Sequence, residues 1–344
     1  DANDWKMWAP EGVVEKKLRS LEKPFVIFSN QKGLSRKNKD RKHLEQELLD
    51  RVSGFGEAVG VPFLFVGAAQ DDLYRKPRVG MWDLVLGMFR ERAPSFDIDS
   101  EQCFFVGDAA GRPSGWCDGG GTADFSCSDR KFAKNLKIDF LTPDQYFLER
   151  KNVPDMISAA LPLEYLAQSG DSVSLQPDLF EAIGKPEIVL FCGRPASGKT
   201  SFYKNNFKQR GYVHVNKDTL KTSAKCFKAI NEALKSGHSV VVDETCPSVE
   251  SRRQYIEEAN RLSVPIRCLY FDASRELCEH LNRFRNAVTE TSRKTVPAIA
   301  YNMFEKKFVL PSMQKEGFAL VSTVPFIASF DSEKHRNLFK LYYI

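Results

Sequence analysis

The chain has 344 residues, of which 42% are hydrophobic, 12% aromatic and 28% charged, and its formal net charge is +5. This composition excludes an intrinsically disordered chain, and the length suits two domains better than one. Because no apolar run is long enough to cross a bilayer and no signal peptide begins the sequence, we expect neither a membrane-spanning segment nor secretion.

The eight cysteines are scattered along the chain and include no Cys-x-x-Cys pair. In a chain of this length, that distribution argues against a disulfide framework and against a zinc site. We therefore expect mostly buried, reduced thiols and an intracellular protein.

Basic residues crowd one short segment of the first half. They are Lys32, Arg36, Lys37, Lys39, Arg41 and Lys42. Such a cluster is as compatible with a solvated loop that enters a helix as with contacts to a nucleic-acid backbone.

Short apolar runs alternate with helical patterns through the first half of the chain. The predicted strands are 24–29, 61–66 and 103–106, and the predicted helices lie around 44–52 and 81–88. Nearly continuous apolar strands that alternate with helices are typical of a parallel sheet covered on both faces.

A second alternating set begins after a segment broken by prolines. Its predicted strands are 188–191, 212–215, 239–242 and 266–271, and its predicted helices follow Lys199 and cover 222–234 and 248–261. We assign 152–187 to the interdomain connection, with a short helix possible within 156–166. The sequence thus predicts an α/β protein of two tandem parallel-sheet domains, 1–151 and 188–344.

A glycine-rich loop follows the strand at 188–191 and precedes a helix, with the pattern G-x-x-x-x-G-K-T. In this context the backbone N–H groups and the helix N-terminus bind phosphate. Lys199 is predicted to reach the outer phosphates of ATP, and Thr200 is predicted to bind Mg²⁺. The predicted nucleotide-binding residues are Gly193, Ala196, Ser197, Gly198, Lys199, Thr200 and Ser201.

Phosphoryl transfer also needs a carboxylate near the attacking hydroxyl and cations near the transferred group. Asp218 follows the next strand and is the predicted general base, although a helix N-cap is an equally good role for it. Asp243 ends a further strand and is predicted to bind the metal or to orient the base. Arg283 and Arg285, which follow a helical stretch, suit either a phosphate-binding lid or a solvated helix end.

Motifs in both halves resemble the polynucleotide kinase/phosphatase family, the bifunctional DNA end-repair enzymes of eukaryotes. In the second half they are the phosphate loop, 211–220, Val242-Asp243-x-Thr245-x-Pro247 and Asn282-Arg283-Phe284-Arg285. In the first half they are 28–33, 74–82, 105–112 and 124–130. The resemblance spans nearly the whole chain in the expected order.

The resemblance implies a first domain of the haloacid-dehalogenase (HAD) phosphatase class that removes 3′-phosphates. It implies a second domain that transfers the γ-phosphate of ATP to a 5′-hydroxyl of nucleic acid. In that family Asp218 would be the base, and Arg283 or Arg285 would hold phosphate.

For the phosphatase domain, the resemblance gives roles to four further side chains. Ser29 would supply the hydroxyl and Lys76 the cation that hold the phosphate, while Asp108 would bind Mg²⁺. Asp129 suits either a second acidic position of this motif or a structural role.

The sequence departs from the family pattern in both halves. The phosphatase nucleophile belongs to an Asp-x-Asp-Gly-Thr segment upstream of an Asp-Trp pair, and this sequence starts at that pair, Asp4-Trp5. We therefore expect the first strand to be missing here and this chain to lack phosphatase activity. In the kinase half, Glu244 and Cys246 replace the two asparagines of an Asp-Asn-Thr-Asn-Pro pattern, which affects the expected acceptor preference.

Two other functions remain compatible with these residues. A small-molecule P-loop kinase would share the loop, the aspartate and the arginines, and a non-catalytic protein that binds DNA ends would keep only the binding surface. Our leading hypothesis is a nuclear, monomeric enzyme of DNA repair whose partners are ATP and DNA strand ends.

Overall fold

The computed structural model describes residues 5–21, 25–35, 40–117, 120–151, 161–172, 179, 186–289 and 295–343. The chain divides into two compact units, Asp1–Ala160 with Leu341–Ile344, and Leu161–Lys340. We call them the N-terminal and the C-terminal unit. The division falls within the predicted connection at 152–187.

The N-terminal unit alternates strands and helices. Its elements are α1 (Val13–Arg19), β1 (Phe25–Asn30), α2 (Arg41–Val59), β2 (Phe63–Ala68), α3 (Gly80–Arg92), β3 (Phe104–Val106), α4 (Ser128–Leu136), β4 (Asp139–Leu141) and α5 (Pro143–Leu148). The three predicted strands are present, each displaced by at most two residues at either end.

The strands of this unit form two small parallel sheets. β1 pairs with β2 over six residues, and β3 pairs with β4 over three. Phe28 of β1 packs with Met81 and Val85 of α3 and with Phe132 of α4. This core fixes the carboxyl end of β1 beside α3 and α4, where the candidate phosphatase residues lie.

The C-terminal unit contains a longer alternating series. Its elements are α6 (Leu163–Ser172), β5 (Ile188–Gly193), α7 (Lys199–Asn206), β6 (Val213–Val215), α8 (Lys217–Leu220), α9 (Ser223–Lys235), β7 (Val240–Val242), α10 (Val249–Leu262), β8 (Ile266–Phe271), α11 (Arg275–Thr289), α12 (Ala298–Lys307), α13 (Met313–Glu316), β9 (Leu320–Val324) and α14 (Glu333–Phe339).

These strands form a five-stranded parallel sheet in the order β6-β7-β5-β8-β9. β5 lies at the centre and all six of its residues are buried, because successive side chains enter separate cores on the two faces of the sheet. The sheet therefore has one carboxyl edge, at which the loops after β5, β6 and β7 lie side by side.

Short polar side chains start the helices at this edge. Asn216 caps α8 by accepting a hydrogen bond from the Asp218 amide, and Thr222 caps α9. Ser248 and Ser251 form a reciprocal capping box at the start of α10. These caps fix the points at which the chain leaves the sheet.

Some elements differ from the sequence-based expectation. The short helix that the sequence allowed within 156–166 overlaps α6 at Leu163–Ser172, and residues 156–160 lie outside the described residues. β4 and β9 were not predicted. Among the described helices, none has the length and apolar character needed to cross a membrane.

Candidate active site

The phosphate loop turns sharply where it leaves β5. Gly193 has φ 157°, and a Cβ placed there would lie 2.8 Å from Phe271 Cβ on the neighbouring strand. Ala196 adopts a left-handed conformation with φ 59°, which a residue with a side chain rarely accepts. Gly198, with φ 92°, is the N-cap residue of α7. The loop is thus held in a strained backbone path at the helix N-terminus, as a phosphate site requires.

Lys199 lies inside this loop. Its Nζ donates to the carbonyl oxygens of Gly193 at 3.0 Å and of Arg194 at 2.6 Å, and to Ser197 Oγ at 3.2 Å. Burial lowers the pKa of Lys199, although the charge of Asp243 opposes this change. The ammonium group therefore lies at the centre of the loop, where the phosphates of a nucleotide would meet it.

Asp243, at the end of β7, is the most heavily bonded carboxylate of the site. Its Oδ2 accepts from Thr200 Oγ1 at 2.6 Å and from Asn216 Nδ2 at 3.2 Å, and lies 3.1 Å from His214 Nε2. Burial alone would raise the pKa of Asp243, but the His214 and Thr200 hydrogen bonds and the Lys199 charge lower it overall. Asp243 is therefore ionised at neutral pH.

The pair of Thr200 and Asp243 fits Mg²⁺ in its donor chemistry. Both residues offer oxygen ligands, and Mg²⁺ in kinases is commonly held by one or two such groups together with substrate phosphates. Across the described ranges there is no cluster of three or more His, Cys, Asp or Glu side chains that could hold a metal. A magnesium site here would thus be completed by the nucleotide.

Asp218 occupies the second position of α8 and is exposed. Sequence reasoning left a helix N-cap as the alternative role for this residue, but Asn216 fills that role, with its Oδ1 2.8 Å from the Asp218 amide nitrogen. The Asp218 carboxylate is therefore not required as the cap. It lines the same cavity as the phosphate loop.

The cavity has a volume of about 1040 Å³ and runs along the carboxyl edge of the sheet. Of the predicted nucleotide-binding residues, all except Gly193 line it. Apolar and aromatic side chains line the part near β9 and α11; they include Leu281, Phe284, Val324, Pro325, Phe326, Ile327, Phe330 and Phe339. Since β8 and β9 lie on one side of β5 in the sheet, these apolar side chains lie to one side of the phosphate loop, where they suit a planar base.

The two candidate lid arginines do not follow a helix but lie within α11. This corrects the expectation that a helical stretch ends before them, and residues two apart on a helix face different directions. Arg285 lines the cavity and donates to Asn282 Oδ1 at 2.8 Å, whereas Arg283 does not line it. The structure thus places Arg285, but not Arg283, in the lining of the cavity that the phosphate loop also lines.

The loop after β7 is fastened to the phosphate loop and to α10. The Gly193 amide donates to the Thr245 carbonyl at 3.0 Å. The buried Arg252 donates to the Cys246 carbonyl at 3.1 Å, and the buried Tyr255 donates through its hydroxyl to Glu244 Oε1 at 2.8 Å. Arg252 and Tyr255 were not predicted as site residues. Their connection to this loop is made by side-chain contacts from α10, which the local sequence does not display.

The candidate phosphatase residues of the N-terminal unit gather at the carboxyl ends of β1 and β3. Lys76 Nζ donates to the Phe28 carbonyl at 2.6 Å and lies 2.8 Å from Asp129 Oδ1, and both side chains are buried. Asp129 accepts from the Ala109 amide at 3.2 Å, beside the exposed Asp108. Asp129 is thus the buried ionic partner of Lys76, and its hydrogen bonds with Ala109 join the start of α4 to the residue after Asp108.

Ser29 completes this group at the end of β1. Its hydroxyl accepts a hydrogen bond from Gln31 Nε2 at 2.7 Å, and the neighbouring Asn30 is linked through its side chain to the Lys76 backbone. Ser29 is thus next to a residue bonded to Lys76, and Asp108 is next to Ala109, whose amide bonds the Lys76 partner Asp129. Asp4, at the expected boundary of the missing segment, lies outside the described residues.

Comparison with known proteins gives a matching family model for each half of the chain and a relative that matches nearly all of it. A family model described as polynucleotide kinase 3 phosphatase matches residues 1–147, and an AAA domain model matches 221–311. The bifunctional polynucleotide phosphatase/kinase of Schizosaccharomyces pombe is 37% identical over 336 residues, which are 97% of this chain and 76% of that protein. The chain belongs to the bifunctional polynucleotide phosphatase/kinase family.

Two other similar proteins each cover less than half of the chain. Polynucleotide 3′-phosphatase ZDP of Arabidopsis thaliana is 33% identical over 166 residues, which are 44% of this chain and 22% of that protein. The crystal structure of a fungal RNA kinase covers 45% of this chain and 42% of that one, with 18% identity and a TM-score of 0.34.

Family membership confirms the resemblance and the fold predicted from the sequence. In this polynucleotide phosphatase/kinase, the N-terminal unit is the phosphatase domain and the C-terminal unit is the P-loop kinase domain. His214 and Asn216, which bond Asp243, were not predicted as site residues. Their position at the end of β6, in register with β7, is the signal that could have identified them.

Proposed function

We propose that the kinase domain transfers the γ-phosphate of ATP to the 5′-hydroxyl of a DNA strand end. The observation that carries this proposal is that one cavity is lined by apolar side chains, by the phosphate loop with Lys199 and by Asp218, and that these groups follow β8–β9, β5 and β6, in the order of the strands across the sheet. A base, three phosphates and an acceptor hydroxyl would occupy these positions in turn.

The reaction follows from this order. Asp218 would accept the proton of the 5′-hydroxyl. At the same time the hydroxyl oxygen would bond to the γ-phosphorus, and the bond between the γ-phosphorus and the β–γ bridging oxygen would break, releasing ADP. Lys199 and Arg285 would hold the phosphates in line. Thr200 and Asp243 would hold Mg²⁺, which when bound neutralises charge on the phosphates.

We also propose that the N-terminal unit is an HAD-type 3′-phosphatase. Ser29 and Lys76 would bind the phosphate at the end of β1, and Asp108 would bind Mg²⁺. In the full-length protein, the two activities together would convert damaged strand ends into a 3′-hydroxyl and a 5′-phosphate. Such a conversion suits the repair of DNA strand breaks, and we propose the nucleus as the place of action.

Nucleic-acid binding would use cations outside the cavity as well. Lys32, Arg41 and Lys42 are exposed at the start of the N-terminal helices, while Arg36, Lys37 and Lys39 lie outside the described residues. Exposure at a helix start is compatible with both roles that the sequence left open. A steep fall in oligonucleotide affinity with rising salt, reduced in a variant lacking these exposed charges, would support phosphate contacts.

The test of the kinase proposal is transfer from γ-labelled ATP, with a 5′-hydroxyl oligodeoxynucleotide, an oligoribonucleotide, free nucleosides and small polyols as parallel acceptors. We expect label on the oligodeoxynucleotide and none on the nucleosides or polyols. Labelling of a small acceptor without the oligonucleotides would instead make this domain a small-molecule kinase.

A further inference from the structure

The kinase cavity differs in charge and polarity from one end to the other. In the strand order β6-β7-β5-β8-β9, the phosphate loop follows the central β5. The aromatic part of the cavity lies on the β8–β9 side, whereas Asp218 after β6 and Glu244 after β7 lie on the other side. The acceptor strand would therefore enter at the end that carries these two carboxylates.

Glu244 is held in place at this end. Its Oε1 accepts from the hydroxyl of Tyr255 at 2.8 Å, and the tyrosine is fully buried in the core under α10. The backbone on both sides is fixed too, because Asp243 donates its amide to Val215 and Thr245 accepts from Gly193. Because Tyr255 donates to the Glu244 carboxylate and the neighbouring backbone is hydrogen-bonded, the charge of Glu244 has a defined position in the lining of the cavity.

Two carboxylates and two lysines lie near the acceptor position. Asp218 and Glu244 line this end together with the exposed Lys217 of α8, and Lys221 donates through Nζ to the Asp218 carbonyl. A 5′-hydroxyl is neutral, but a 5′-phosphate carries about −1.5 to −2 charges at neutral pH. Catalysis requires one carboxylate at this end, and the charge of the second repels a 5′-phosphate but not a neutral 5′-hydroxyl.

We infer that Glu244 is a specificity-determining residue that makes the kinase site reject 5′-phosphorylated ends. It selects unphosphorylated ends from a mixture and promotes release of the phosphorylated product. This inference rests on the proposed kinase function and adds to it the discrimination between substrate and product.

The experiment measures binding at equilibrium in the presence of saturating ADP and excess EDTA, so that without Mg²⁺ neither the transfer nor its reversal can run. Two oligodeoxynucleotides with the same 3′ fluorescent label, one with a 5′-hydroxyl and one with a 5′-phosphate, are titrated with the full chain by fluorescence anisotropy. The quantity of interest is the ratio of the two Kd values, 5′-phosphate over 5′-hydroxyl. In Glu244→Gln, which can still accept from Tyr255, this ratio is expected to fall roughly tenfold, the size of one partly screened like-charge contact.

Two further variants interpret that result. Tyr255→Phe keeps the charge but removes its anchor, and the ratio is expected to fall by a smaller factor. Glu250→Gln removes an exposed charge of the same sign from the start of α10, outside the cavity, and is expected to leave the ratio at the wild-type value.

An unchanged ratio in Glu244→Gln, or an equal fall in Glu250→Gln, would overturn the inference. If Glu244→Gln did not bind ADP, Tyr255→Phe would decide, and a wild-type ratio there would also overturn it. Failure of the proposed function is seen separately, as wild-type protein that transfers no label from ATP to the 5′-hydroxyl oligonucleotide.

Discussion

Replacement of Arg252 by alanine should destabilise the kinase domain strongly. Arg252 and Glu316 are 0% and 3% exposed, and two hydrogen bonds of 2.7 and 2.8 Å join the guanidinium to the carboxylate. The third arm donates to the carbonyl oxygens of Cys246, Pro247 and Val309. Arg252→Ala would leave Glu316 buried without its cation, a change that typically costs about 3–5 kcal/mol.

The choice of assay matters for this prediction. All four tryptophans precede residue 117, so tryptophan fluorescence would report unfolding of the N-terminal unit. We would instead follow hydrogen exchange of the β5 and β7 amides as a function of urea concentration, which reports the free energy of opening of the kinase sheet.

Two other variants test whether the loss in Arg252→Ala comes from the buried ion pair. Arg253→Ala removes an exposed arginine one position along α10 and is expected to change that free energy by at most about 0.5 kcal/mol. Arg252→Met combined with Glu316→Leu removes both charges and is expected to recover much of the loss. A loss below about 1 kcal/mol in Arg252→Ala, or one no larger than in Arg253→Ala, would refute the buried-pair argument.

Three further predictions concern the kinase domain. In Gly193→Ala the new methyl group would lie 2.8 Å from a side-chain carbon of β8, so calorimetry should show weaker ATP binding and the domain should lose roughly 1–3 kcal/mol of stability. Arg285→Gln should raise the KM for ATP roughly tenfold in steady-state kinetics, while Arg283→Gln should change it less than about twofold. Burial raises the pKa of Tyr212 to about 12, so its stabilising effect should be present below about pH 10 and disappear as the pH rises to about 12. As the pH rises from about 10 to about 12, the free energy of opening measured by hydrogen exchange should therefore fall less in Tyr212→Phe than in the wild type.

The sequence predicted the central strands well because their burial is continuous. In β5, β7 and β8 every residue is buried, and such apolar runs are visible without knowledge of the fold. β4 has only three residues, and β9 (Leu320–Val324) carries Ser and Thr at a sheet edge. Their strand character comes from pairing with neighbours, which the local sequence does not display.

The sequence could predict those parts of the candidate site whose positions depend on their distance along the chain from a strand end. The positions of the phosphate loop and of the carboxylates that follow β6 and β7 could be predicted from the geometry of a parallel sheet. The N-cap role could not be assigned between Asn216 and Asp218, because both residue types cap helices and lie two positions apart. Contacts made through side chains from distant helices, such as Tyr255 with Glu244, need the tertiary structure.

The most direct test of the central claim is the rate of γ-phosphate transfer to a 5′-hydroxyl oligodeoxynucleotide in a single turnover, compared between wild type and Asp218→Asn. Asp331→Asn, a change at a carboxylate that is 97% exposed, serves as the control. If Asp218 is the base in the cavity of the phosphate loop, its replacement should slow transfer by roughly 10²–10⁴-fold without weakening ATP binding. A rate within about tenfold of wild type, or a matching loss of ATP affinity, would contradict the claim.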